Sequence, residues 1–271
     1  MKLSTWNVNS LKVRLPHLLD WLNLQQPDVV CLQETKLEDV KFPYDAITAA
    51  GYHVIFSGQK TYNGVAILSR WPLEDVVIGI PGWEDPQQRV IAASTNGVRI
   101  VCVYVPNGQS PDSDKYQYKL AWFRALTAYV EADLLRYTHL AVLGDYNVAP
   151  ADDDVYDAAA WGDGILVSAA ERAAFESLLA LGLHDSFCLF EKPAAAFTWW
   201  DYRMAAFRRN MGLRIDHVLV SPALAGSCLA WEVDKAPRKL ERPSDHAPVL
   251  VTFNPDPAID RLLVMHAIED G

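Results

Sequence analysis

The chain is short of cysteine, of positive charge and of long apolar runs, and each shortage removes a class of protein. Its four cysteines, Cys31, Cys102, Cys188 and Cys228, are scattered over 271 residues with no CxxC pair. Neither a disulfide framework nor a cysteine-built zinc site is expected from that spacing. Cys31 and Cys102 lie inside apolar runs and read as buried free thiols, which suits a reducing compartment. No segment approaches the ~20 consecutive apolar residues of a membrane span. The first apolar stretch already contains Asn7 and Asn9, which leaves no room for the apolar core of a secretion signal. The expectation is a cytoplasmic protein without a membrane partner.

Basic residues number 24 against 34 acidic ones, for a formal net charge of −10. A nucleic-acid partner normally calls for a basic face, so the balance at first argues against one. Two arrangements would reconcile them. Carboxylates gathered around a cation lower the net charge without repelling phosphate once the cation is bound. A local basic patch steers a polyanion even on an acidic protein.

What is present is the profile of a globular enzyme: 51% hydrophobic and 21% charged residues, with enough length to bury a large core. Short apolar runs bounded by turn residues predict strands over 3–8, 29–33, 53–56, 64–69, 89–94, 98–104, 140–144, 214–220, 229–233 and 248–253. Asn96-Gly97 separates two of these runs and reads as a tight hairpin turn, since both positions tolerate positive φ. Three helices are predicted. One starts near Pro16 and is stopped by Pro27. A second spans about 113–136, with Phe123, Leu126 and Val130 on one face. The third opens on a Ser168/Glu171 capping box and ends at Gly182. Interleaved strands and helices indicate mixed α/β sheets in a single domain over residues 1–254. Residues 255–271 form a tail in which Ile259, Leu262, Leu263, Met265 and Ile268 suggest a short amphipathic helix.

The polar residues that follow the strands form an unusual series: Asn7, Glu34, Tyr104, Asn107, Asp145, Asn147, Asp216, Asp245 and His246. Singly, each has a plain structural reading, such as an asparagine in a turn, an aspartate capping a loop or a histidine satisfied at a strand start. Together they are rich in carboxylates and amides and contain no thiol, a donor set suited to a hard cation such as Mg²⁺. A second feature is the segment 197–214, where Trp199, Trp200, Tyr202 and Phe207 alternate with Arg203, Arg208, Arg209 and Arg214. Cations for phosphates and flat rings for bases or sugars are what nucleic-acid contact uses. Lys235, Arg238, Lys239 and Arg242 add a further basic stretch. The alternative is a solvated charged loop over core aromatics. The run Asp152-Asp153-Asp154 reads as a solvated loop.

Seven blocks, in order, are WNVNSLK, LQETK, YNGVAILSR, YVPNGQ, GDYNVAP, TWWDYR followed by GLRID, and SDHAP. As a set, spanning Lys2 to Phe253, they resemble the exonuclease III and apurinic endonuclease family of DNase I-like phosphodiesterases. The resemblance implies a four-layer α/β sandwich, two packed mixed sheets flanked by helices. It implies a DNA repair nuclease cutting 5′ of abasic sites and clearing nucleotides or blocking groups from 3′ ends. Mg²⁺ would be held by Glu34 with Asn7 and Asp245, Mn²⁺ being the expected substitute. Asp145 would activate or orient the attacking water, with Asn147 holding that water or the phosphate. His246, oriented by Asp216, and Tyr104 would stabilise charge on the scissile phosphate. A second metal position among Asp145, Asn147 and His246 stays open. Asn107 would lie on the DNA backbone with Arg203, Arg208 and Arg209, while Trp199, Trp200 and Leu213 would line a cavity for a flipped-out baseless sugar. The implied partner is double-stranded DNA with abasic sites or 3′ ends, bound by a monomer. Two other readings remain in play: a DNase I-like phosphodiesterase acting on a non-DNA phosphoester, and a catalytically silent nucleic-acid-binding module.

Overall fold

The computed structural model describes residues 1–191 and 193–254, so the helix expected in the tail lies outside the described residues. Twelve strands are formed among them: β1 (Lys2–Asn7), β2 (Val29–Gln33), β3 (His53–Ser57), β4 (Val65–Ser69), β5 (Glu74–Ile78), β6 (Val90–Thr95), β7 (Val98–Tyr104), β8 (Leu140–Asp145), β9 (His184–Asp185), β10 (Asp216–Val220), β11 (Cys228–Val233) and β12 (Val249–Phe253). They make two six-stranded sheets, ordered β11-β12-β1-β2-β4-β3 and β5-β6-β7-β8-β10-β9. Each sheet is mixed, with one parallel pair near its middle: β1 with β2 and β7 with β8.

The two sheets pack face to face. Leu3, Cys31, Ile67 and Val251 of one meet Ile100, Cys102, Leu143 and Val218 of the other in a core from which water is excluded. The outer face of the first sheet is covered by helix Leu11–Gln25, whose Leu18, Trp21 and Leu22 pack with Val30, Leu32 and Leu68. Helices Asp114–Leu134 and Ala169–Leu179 cover the outer face of the second through Trp122, Phe123, Leu126, Phe175 and Leu178. Removing each such side chain from water contributes roughly 1.5–3 kcal/mol. The result is a four-layer α/β/β/α sandwich, as the resemblance implied. Central strands such as β2 and β4 are buried along their whole length, which explains why they read as unbroken apolar runs.

Local signals act as expected in several places. Asn96 and Gly97 take φ of 46° and 75° in the β6–β7 hairpin. Ser168 and Glu171 close a reciprocal capping box, and Ser113 caps the helix that follows it. The first helix is a correction. It starts at Leu11, not near Pro16, and Pro16 lies inside it. The proline was read as a first-turn residue, but burial of Leu11 extends the helix through a position that cannot donate. Strands β5 and β9 were not anticipated. The first is an exposed edge strand with little apolar patterning, and the second is two residues long.

A candidate metal-dependent active site where the two sheets end

Strand register brings the polar residues together. The parallel pairing of β1 and β2 sets Asn7 beside Gln33, so Asn7 and Glu34 leave the first sheet at the same edge. In the second sheet Asp145 pairs with Tyr104 on one side and Asp216 on the other. Gly144, just before Asp145, allows the close approach of β7: a Cβ there would lie 1.8 Å from the Val103 carbonyl oxygen. Glu34 and Asn147 adopt φ of 53° and 49°, a left-handed backbone that strand termini rarely take and that functional sites often retain.

The side chains converge across the seam. Asn7 Nδ2 donates to Glu34 Oε1 at 2.8 Å and to Asp145 Oδ2 at 2.9 Å, holding two carboxylates from different sheets. Asp216 accepts from His246 Nδ1 at 2.9 Å, and His246 Nε2 lies 3.7 Å from Asp145 Oδ2. The Asp145 carboxylate is held from its other side by the main chain, the Asn147 N–H donating to Asp145 Oδ1 at 2.9 Å. Asn107 Nδ2 donates to Asn147 Oδ1 at 3.2 Å.

Burial and charge set the protonation of this group. Desolvation raises the Asp145 carboxyl to about 7; His246 opposes that shift, while Asp216 and Glu34 reinforce it. Burial alone would lower His246, but Asp216 and Asp145 overcome it and hold the imidazolium up to about 10. Tyr104 is pushed well above its usual value by burial and by the negative charges of Glu34 and Asp145, so its hydroxyl stays protonated. Burial and the neighbouring carboxylates thus outweigh the His246 charge at Asp145. One oxygen each of Glu34 and Asp145 and a ring nitrogen of His246 lie within 4.8 Å of one another. The two carboxylate oxygens suit a hard divalent cation, and the imidazolium adds a second positive charge beside them.

Not every expected residue takes the place assigned to it. Asp245 lies outside the three-residue cluster, because its oxygens accept from Asn9 Nδ2 at 2.9 Å and Trp199 Nε1 at 3.0 Å. Asn7 turns its amide nitrogen to the carboxylates, and its oxygen accepts from the Asn9 N–H; as placed, it organises the ligands instead of joining them. Trp199 remains partly exposed beside Asp245, but two companions do not line a sugar cavity. Trp200 is fully buried against the edge of Phe207, and Leu213 is buried with Val155, Leu166 and Ile215. Burying these large apolar side chains is favoured over leaving them as an open surface.

The basic stretch also divides. Arg203, Arg208 and Arg209 are exposed, Arg203 pairing with Asp201. Arg214 is instead buried between Asp154 and Asp185, at 2.6 and 2.7 Å, which also takes Asp154 out of the solvated run read from the sequence. Arg238 is buried too, over the Phe207 ring and donating to the Ser244 carbonyl. Two residues near the site carried no sequence signal that singled them out. Lys36 pairs with Glu34 at 2.7 Å from two positions along, and Lys119 reaches the Asn147 carbonyl from the middle of a helix.

Known proteins share this architecture. The profile of the endonuclease/exonuclease/phosphatase family matches residues 4–246. Exodeoxyribonuclease III of Haemophilus influenzae is 36% identical over 268 residues, covering 93% of this chain and all of that one. Among solved structures, the 3′ phosphatase NExo from Neisseria, bound to a product DNA hairpin, is 51% identical with a TM-score of 0.93, over 94% of this chain and 99% of that one. An AP endonuclease from Archaeoglobus fulgidus is 38% identical with a TM-score of 0.91, over 94% of this chain and all of the other. With that coverage, the chain belongs to the endonuclease/exonuclease/phosphatase family.

Proposed function

We propose that this chain is a Mg²⁺-dependent DNA repair nuclease, a phosphodiester hydrolase that incises DNA 5′ of abasic sites and removes nucleotides or blocking groups from 3′ ends. The single observation that carries the reading is the junction of the two sheets, where carboxylate oxygens of Glu34 and Asp145 lie within 4.8 Å of each other and of a ring nitrogen of the His246 imidazolium. Full-length similarity to exodeoxyribonuclease III and to an AP endonuclease supports both activities, and the 51% identity to a 3′ phosphatase supports 3′-end processing in particular. The partner is double-stranded DNA, met by one copy of the chain in the cytoplasm through one catalytic domain over residues 1–254.

In this reading a bound Mg²⁺ supplies positive charge against the oxygens on which in-line attack builds negative charge. Glu34 is its principal ligand, with Asn7 and Asp245 completing and orienting the acidic surroundings. Asp145 takes the proton of the attacking water, a task for which a carboxylate near neutrality is suited. Asn147 fixes that water through its carboxamide. His246, kept cationic by Asp216, donates to a non-bridging phosphate oxygen, and the protonated Tyr104 hydroxyl donates to the same group. Neither step needs a covalent intermediate. Asn107 and the exposed Arg203, Arg208 and Arg209 meet the DNA backbone, and Trp199 offers its ring to the sugar.

The test is cleavage of three duplexes, one with a synthetic abasic site, one with a recessed 3′-hydroxyl and one with a 3′-phosphate. Activity with Mg²⁺ that stops in EDTA and in Asp145→Ala is expected. Hydrolysis of a soluble phosphoester with no action on DNA would move the assignment to another branch of the family. Metal-independent DNA binding without cleavage would make the chain a silent binding module.

A further inference from the structure

Among the described residues, few cations are as enclosed as Lys119. Its side chain is fully buried in helix Asp114–Leu134, and all three ammonium protons are directed at acceptors. One goes to the Asn147 carbonyl at 2.7 Å, one to the Asn107 carbonyl at 3.1 Å and one to Glu171 Oε1. The first two acceptors belong to the two residues whose carboxamides meet each other at the edge of the site. The third is the glutamate of the capping box. Its other oxygen accepts from the N–H and the hydroxyl of Ser168 at 3.2 and 2.7 Å. Loop 105–108 packs on the lysine stem: a Cβ at Gly108, whose φ is +92°, would crowd Lys119 Cδ at 3.1 Å and Ile165 Cδ1 at 3.0 Å.

A buried ammonium is expensive to desolvate, and a fully paired one implies that its surroundings hold it in a single geometry. A cation serving the core alone needs only its carboxylate. Lys119 additionally takes two main-chain carbonyls from separate loops, those after β7 and after β8, and fixes their spacing. The Asn147 backbone is left-handed, at φ 49°, with its N–H on Asp145 Oδ1 and its carbonyl on the Lys119 ammonium. Its side chain then points where Nδ2 reaches the Val105 carbonyl at 3.0 Å and Oδ1 accepts from Asn107.

We infer that Lys119 is a positioning residue for phosphodiester cleavage, a buried ammonium that locks the Asn107 and Asn147 loops in register so that both carboxamides face the scissile phosphate and the attacking water. Glu171 is its counter-ion, tying that register to the helix cap. The inference rests on the nuclease reading above. It concerns the rate of the chemical step and leaves DNA affinity alone, because Lys119 is closed off from any ligand.

The experiment compares wild type, Glu171→Gln and Lys119→Met/Glu171→Gln on the 3′-phosphate and abasic duplexes, with folded fraction measured by thermal melting. The double variant removes the ammonium without stranding a buried carboxylate. Glu171→Gln, which leaves the ammonium on both carbonyls, keeps kcat within about 3-fold of wild type. The double variant loses about 30-fold in kcat per folded molecule with KM changed less than about 3-fold, as expected for loss of charge-assisted bonds that act only on geometry. A folded double variant with the kcat of Glu171→Gln overturns the inference, as does a loss confined to KM. If the double variant does not fold, a 30-fold fall in kcat for folded Glu171→Gln overturns it equally, since a lysine that still donates to the Gln amide oxygen keeps its reach to both carbonyls there. A wild type that cuts neither DNA is the failure of the nuclease reading, and is separate from these outcomes.

Discussion

The His246–Asp216 pair makes the most quantitative prediction. His246 is buried, and Asp216 at 2.9 Å is the largest of the groups that raise it, holding the imidazolium up to about 10. Replacing Asp216 with Asn keeps the shape and removes the charge. Were His246 to fall only to the ordinary histidine value of ~6.5, its protonated fraction at pH 8 would drop from nearly all to about 3%. Cleavage at pH 8 in saturating Mg²⁺ should therefore fall roughly 30-fold below wild type, and the deficit should narrow toward pH 6, where protonation of Asp145 slows both proteins. Stability follows the same sign. A histidine raised in the folded state contributes fully below its unfolded pKa, and the contribution is lost as pH rises through the folded value. At pH 8 wild type still holds about two of the units between 8 and 10, roughly 3 kcal/mol at ~1.4 kcal/mol per unit, and Asp216→Asn forfeits it. The assays are a pH–rate profile from pH 6 to 9, chemical denaturation at pH 6 and 8, and titration of the His246 ring by NMR. Profiles of equal shape for the two proteins, or an imidazole still protonated at pH 8 in the variant, would refute the electrostatic argument.

Three other outcomes are expected. Glu34→Gln should raise the Mg²⁺ concentration for half-maximal cleavage at least ~10-fold in a metal titration, because a neutral amide replaces a carboxylate beside a hard cation. Trp200→Ala should destabilise the protein by about 3–5 kcal/mol in denaturant unfolding, leaving DNA affinity per folded molecule near wild type, because the ring is entirely buried. Arg208→Ala/Arg209→Ala should weaken binding to duplexes of any sequence and lower the slope of log affinity against log salt by about 2, read by fluorescence anisotropy at several ionic strengths.

The sequence carried the strands well because most are buried on both faces and so appear as continuous apolar runs; β2 and β7 keep the limits read from the chain. Exposed β5, with only Val77 turned partly inward, gave no such signal. The site residues were legible as polar positions at strand ends, since a strand that stops at a functional edge changes abruptly from apolar to polar. What composition could not convey was direction. Asp245 is held by Trp199 and Asn9 outside the Glu34–Asp145–His246 cluster, and Asn7 offers that cluster its amide nitrogen while its oxygen accepts from Asn9. Nor does a pattern of arginines reveal which are paired. Arg214 and Arg209 sit five residues apart in one basic stretch, yet one is sealed between two aspartates and the other faces solvent.

The pairing of β1 with both β2 and β12 has a consequence for assembly of the site. Residues 3–5 pair on one side with residues 29–31, and residues 2–5 on the other with residues 249–252, far along the chain. His246 lies just before that strand, so docking of β12 and the approach of His246 to Asp145 and Asp216 are coupled, and a chain in which β12 is undocked lacks the imidazolium of the site.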